Sequence, residues 1–233
     1  MSRRIWLLSC VKSRRSCRHG TRWGPWLWLV DIQKFYGEAP VVDILEAIAA
    51  RRSIRKFTDR PVTEETVNAV LAAAILAPSG KNHQSWRFVV VAGDEKRAQM
   101  IRVMREGITD TKARGIDTGS AIMTARVMDR APVTIFVFNP EGVAPWASHS
   151  LAQIVMETVD TQSIGAAIQN MLLAAQAMGL GAVWMCDVWS AYQQLEEWLG
   201  ESGQLVAAVA LGYPDEQPAA RPRRPLSEVV HWF

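Results

Sequence analysis

The stretch Ile164-Gly165-Ala166-Ala167-Ile168-Gln169-Asn170-Met171-Leu172-Leu173-Ala174-Ala175-Gln176-Ala177-Met178 is apolar nearly all round. A helix without a polar face has to be enclosed, by protein or by lipid. Gln169, Asn170 and Gln176 argue against a membrane span, so the segment predicts a fully buried helix, capped by Asp160 and ended at Gly179. Its alanines and glycine permit close packing, which suits a large dimer interface. The 233 residues suffice for one sizeable domain or two small ones.

β-Branched runs predict core strands at Trp86–Val91, Pro132–Phe138 and Leu205–Leu211, with Gly181–Asp187 as a strand or extended segment. Helical patterning predicts Val42–Ala50, then a helix with Thr63 as N-cap and Glu64 and Glu65 in its first turn, stopping at Ala77-Pro78. Further helices are expected at about 95–105, near 121–130, and at about 190–199. Residues 106–120 are weakly patterned. Residues 139–150, with Pro140, Gly142, Pro145 and Trp146, form a loop able to wall or cover a pocket.

Cys10, Cys17 and Cys186 are odd in number and include no Cys-x-x-Cys pair, so neither a disulfide framework nor a metal site is indicated and a cytoplasmic location is expected. Cys186 reads as a buried small hydrophobe in preference to a redox thiol. No Ser-His-Asp arrangement, Gly-x-Ser-x-Gly, His-Glu-x-x-His or Walker loop is present. His19, His83, His149 and His231 read as structural or surface residues. Residues 1–40 hold eight Lys or Arg against two Asp or Glu, with Trp6, Trp23, Trp26 and Trp28 interspersed, and the remainder of the chain is net negative. This extension reads as translated sequence upstream of a start near Val41 or Val42. The other reading is a basic arm touching nucleic acid or a membrane surface, which is not expected to be its role.

Two cationic clusters stand out against that negative body. The first, Arg51-Arg52-Ser53-Ile54-Arg55-Lys56-Phe57, offers guanidinium forks and a hydroxyl suited to a phosphate. Its alternative is a solvated complement to the preceding helix's dipole. The second, Arg221-Pro222-Arg223-Arg224, lies in the tail, and the two could converge on one phosphate. Between helix end and core strand, Pro78-Ser79-Gly80-Lys81-Asn82-His83-Gln84-Ser85-Trp86 is a donor-rich loop suited to a ligand.

From about residue 42 to the C-terminus the chain resembles the nitroreductase family of flavin mononucleotide (FMN) oxidoreductases. Four motifs in order carry the resemblance: 51–57, Ala-Pro-Ser-Gly-Lys-Asn-His-Gln-Ser-Trp at 77–86, Gln-Asn-Met-Leu-Leu-Ala-Ala through Gly179-Leu180-Gly181 at 169–181, and Leu-Gly-Tyr-Pro with Arg-Pro-Arg-Arg-Pro at 211–225. The resemblance implies an α+β fold with a central, mostly antiparallel sheet flanked by helices, and an intertwined homodimer with FMN at its interface. Arg51, Arg52, Ser53 and Arg55, with Arg221 and Arg223, would hold the flavin phosphate and ribityl chain. Pro78, Ser79, Gly80 and Asn82 would reach the flavin of the partner subunit. Trp184, Met185, Cys186 and Asp187 would lie against the ring, although some relatives carry Pro, Glu and Gly there. An Asn/Lys pair that some relatives place before the second core strand is missing, with Met123 and Arg126 as its nearest matches, of which only Arg126 could serve. No side chain would be catalytic, since flavin N5 carries the chemistry. NADH or NADPH would be the donor and a small nitroaromatic, quinone or enone the acceptor, set by loops at 106–120 and 139–163. The alternatives are an oxygen-dependent flavin-cleaving or reductive dehalogenase-type relative, or a non-enzymatic binding protein using residues 1–40.

Overall fold

Four strands, β1 (Arg87–Ala92), β2 (Val133–Asn139), β3 (Gly181–Met185) and β4 (Gln204–Gly212), form one sheet in a computed structural model that describes residues 43–233. Their order is β1-β2-β4-β3 and every pairing is antiparallel. The helices are α1 (Ile44–Ala50), α2 (Glu64–Ala74), α3 (Asp94–Ala113), α4 (Ala121–Arg130), α5 (Leu151–Ala177), α6 (Tyr192–Leu199) and α7 (Leu226–Val229). The extension at 1–40, with its expected upstream start, lies outside the described residues.

All seven residues of β2 are buried, because helices cover both faces of the sheet and successive side chains point to opposite sides. Phe136 and Phe138 pack with Met100 and Met104 of α3, Met128 of α4 and Leu195 of α6. Ile135 and Val137 pack with Val67 and Val70 of α2 and Ile164, Ile168 and Met171 of α5. This is the α+β, mostly antiparallel arrangement expected from the sequence.

Two helices depart from the sequence reading. α3 continues to Ala113 instead of ending near residue 105, so the weakly patterned loop starts at Arg114. Gly107, inside the helix, is required there because the Ala191 backbone crosses so closely that a Cβ would lie 2.4 Å from Ala191 Cα. α5 begins at Leu151, where Ser150 and Gln153 form a reciprocal capping box, so only residues 139–150 of the presumed 139–163 loop remain outside the helix. Asp160 is therefore not a cap. It is a buried interior residue, 3% exposed.

Candidate active site

Arg51 lies just beyond the C-terminus of α1, and the chain then runs beside the sheet. Ile54 N–H donates to Ala182 O of β3 at 3.0 Å, Thr58 N–H to Tyr213 O at 2.9 Å, and Asp215 N–H to Lys56 O at 3.0 Å. Ile54 is buried over Gly181, where an added Cβ would lie 2.7 Å from the isoleucine side chain. Anchoring the apolar residue in this way leaves the arginines beside it half-buried or exposed.

The tail is brought to the same place by its own bonds. Glu216 Oε1 accepts Arg55 N–H at 2.5 Å and Lys56 N–H at 3.2 Å. Arg60 lies over the Tyr213 ring, 3.7 Å from its centroid. These contacts set Pro218–Ala220, Arg221 and Arg223 opposite Arg51, Arg52, Ser53 and Arg55 across a cleft of about 410 Å³. The two cationic clusters thus converge, as the sequence reading anticipated.

Five guanidinium groups line this cleft, and among the described residues none of them has an ion-pair partner. The side-chain hydrogen bonds they make go to backbone carbonyls: Arg52 Nη1 to Ala49 O and Arg51 O, Arg55 Nη1 to Ser53 O, and Arg223 Nη1 to Arg221 O and Pro222 O. Arg52 thereby caps α1, so the dipole-complement reading holds in part for that residue. Like charges at this density repel unless an anion sits among them. The donor set fits a phosphate.

Arg55 and Arg221 also line a second cleft, of about 440 Å³, with Ser120, Met123, Thr124, Val127, Val183, Trp184, Met185, Cys186 and Asp187. β3 ends at Met185, and Cys186–Asp187 turns into a short 3-10 helix (Asp187–Ala191). The Asp187 carboxylate accepts from the Ser120 hydroxyl in a short hydrogen bond and from Thr124 Oγ1 at 3.3 Å. Cys186 is exposed, not a buried hydrophobe, because the turn points it into this cleft instead of the core. Partial desolvation first, and then the Asp187 carboxylate, push its thiol up, which disfavours a reactive thiolate. Met123 lines the cleft. Arg126 does not, its Nη1 lying 3.5 Å from Met123 Sδ. The sequence reading missed Ser120, Thr124 and Glu216, whose signals are lone polar residues without spacing.

Pro78, Ser79, Gly80 and Asn82 line neither cleft of their own chain. Their loop rests on α5: Gly80 N–H donates to Ser163 Oγ at 3.2 Å, and a Cβ at Gly80 would meet Val159 Cγ1 at 2.3 Å. Lys81, Asn82 and Gln84 adopt φ of 54°, 58° and 54°. Left-handed backbone costs on the order of 1 kcal/mol per non-glycine residue, so contacts must hold the loop in shape. Ser79 Oγ accepts Gln84 N–H at 3.0 Å, and His83 Nδ1 lies 3.2 Å from Asp160 Oδ1, which also accepts Ser85 Oγ at 2.7 Å. His83 Nε2 lies 3.1 Å from Glu141 Oε1.

The model of the nitroreductase family matches residues 48–213. A Methanothermobacter thermautotrophicus protein, whose name pairs NADH dehydrogenase with NAD(P)H nitroreductase, is 36% identical over 79% of this chain and 84% of its own length. The NADPH-flavin oxidoreductase of Vibrio harveyi is 31% identical over 80% of this chain and 72% of its own. A nitroreductase-type crystal structure from Desulfovibrio desulfuricans, in complex with FMN, superposes with a TM-score of 0.61 at 33% identity, covering 82% of this chain and 96% of that one. The matched span contains the first arginine cluster, the strained loop and all four strands, and on that ground the chain belongs to the nitroreductase family.

Proposed function

We propose that this chain is an FMN-dependent NAD(P)H oxidoreductase that reduces small electron-poor acceptors such as nitroaromatics, quinones or enones. The observation that carries the reading is the continuity of two clefts through Arg55 and Arg221: one lined by guanidinium groups without acidic partners, the other by Trp184, Met185, Val183 and Met123. Such a pair suits a phosphate joined to a planar ring, and relatives named for flavin and NAD(P)H chemistry support it.

Arg51, Ser53, Arg55, Arg221 and Arg223 bind the phosphate end, and Arg52 fixes the helix end beside it. Val183, Trp184 and Met185 supply an apolar wall, while Ser120 and Thr124 hold the Asp187 carboxylate at the rim. When bound, the flavin supplies hydride acceptance from the nicotinamide and delivery to the acceptor.

The site belongs to a homodimer. Pro78, Ser79, Gly80 and Asn82 line neither of the two clefts, which leaves them to contact a partner's flavin. Leu151 (78% exposed), Ile154, Val155 (54% exposed) and Met156 on α5, with Ile44, Leu45 and Ile48 on α1, present apolar surface that suits burial against a second copy.

Anaerobic titration of the flavin-loaded protein with NADH and NADPH tests the activity. Bleaching of the visible flavin band, its return on adding a nitroaromatic or quinone, and recovery of intact flavin are expected. A band that neither nucleotide bleaches, or flavin consumed during turnover, would contradict the reading.

A further inference from the structure

His83 is flanked by carboxylates on both sides of its ring. Nδ1 faces Asp160 of α5, and Nε2 faces Glu141 of the segment after β2. Neutral imidazole carries a single N–H and can donate to only one of them, whereas imidazolium donates to both. Asp160 is buried and fixed further by Ser85 Oγ, while the Glu141 side chain is 71% exposed. The only other charged residue of the 78–86 loop is Lys81.

We propose that His83 is a positioning residue whose imidazolium clasps the strained 79–84 loop to α5 and to Glu141, so that FMN affinity falls as the ring loses its proton. The proposal rests on the assignment of this loop to the partner subunit's flavin. The clasp sits inside the left-handed run, between Asn82 and Gln84. A neutral ring keeps one carboxylate and turns a lone pair toward the other, which releases one of the loop's supports.

The hydrogen bond to Asp160 first, then the charges of Glu141 and Asp160, raise the imidazole from its ordinary value of 6.5, against a smaller opposing effect of burial. The sign follows from this. The clasp is fully formed below about pH 6.5 and is lost as pH rises through the raised value of the folded state.

FMN titration of the full chain between about pH 6 and pH 9, for wild type, His83→Gln and His83→Arg, tests the proposal. The FMN phosphate and the arginine cleft contribute equally to all three proteins, so the differences report residue 83. Relative to His83→Gln, the wild type should lose about fivefold in affinity across the range, the scale of one exposed ion pair. His83→Gln should be weak and show only the background pH dependence, and His83→Arg, permanently cationic, should follow that same background while matching the wild type at low pH and exceeding His83→Gln at every pH. Parallel pH profiles for wild type and His83→Gln would overturn the proposal while leaving FMN binding intact. Absence of FMN binding by wild type at every pH would overturn the cofactor assignment and the proposal with it.

Discussion

A protein carrying both Arg51→Ala and Arg55→Ala is expected to be colourless and folded. Each guanidinium contact to a phosphate is worth about 1.5–3 kcal/mol, so losing two weakens FMN binding by roughly two to four orders of magnitude. The fold should tolerate the change. Arg51 and Arg55 make no ion pair among the described residues, and the segment is held by buried Ile54 and by the backbone bonds of Ile54, Thr58 and Lys56. Far-UV circular dichroism and the melting temperature check the fold, and flavin absorbance after reconstitution checks the site. A double variant that retains FMN as tightly as wild type would remove the phosphate role from the first cluster.

Replacing Ile154 and Val155 with Asp is expected to give a monomer without flavin. Both residues are exposed on α5, outside the buried core of their own chain. Burying an aliphatic side chain of this size is worth about 1.5–3 kcal/mol, and a carboxylate forced into a desolvated interface costs more. Dimerisation should weaken by at least about a thousandfold. Sedimentation velocity at micromolar concentration reads the assembly, and flavin content reads the site. Flavin loss accompanies dissociation because the 78–82 loop would no longer reach its partner. A monomer that keeps FMN tightly would separate the site from the interface.

These residues also explain what the sequence disclosed and what it hid. The strands were legible because β2 and β4 are buried on both faces and read as continuous apolar runs. The convergence of the two arginine clusters was legible because charge of one sign at that density needs an anion. The first half of α5 was missed although Leu151, Ile154 and Val155 keep helical spacing and Ser150 and Gln153 carry the cap in plain view; this apolar stripe is exposed in the single chain, so it belongs to no core of its own. Asp160 looked like a cap because an acid before an apolar run usually is one, and only the tertiary approach of His83 and Ser85 reveals a buried partner. The end of α3 was hidden by weak patterning after residue 105, where Gly107 answers to the Ala191 backbone, more than eighty positions away. Cys186 was misread because composition says where cysteines usually lie, while the turn at the end of β3 decides where this one points.

Recognition of the flavin phosphate by the arginine cleft is the step on which the proposed function turns. Equilibrium titration of the wild-type chain with FMN and, in parallel, with riboflavin, which has the same ring and ribityl chain but no phosphate, isolates that contact. FMN should bind at least about a hundredfold more tightly, as expected for several charge-assisted bonds to one phosphate. Equal affinity for the two flavins would contradict the account.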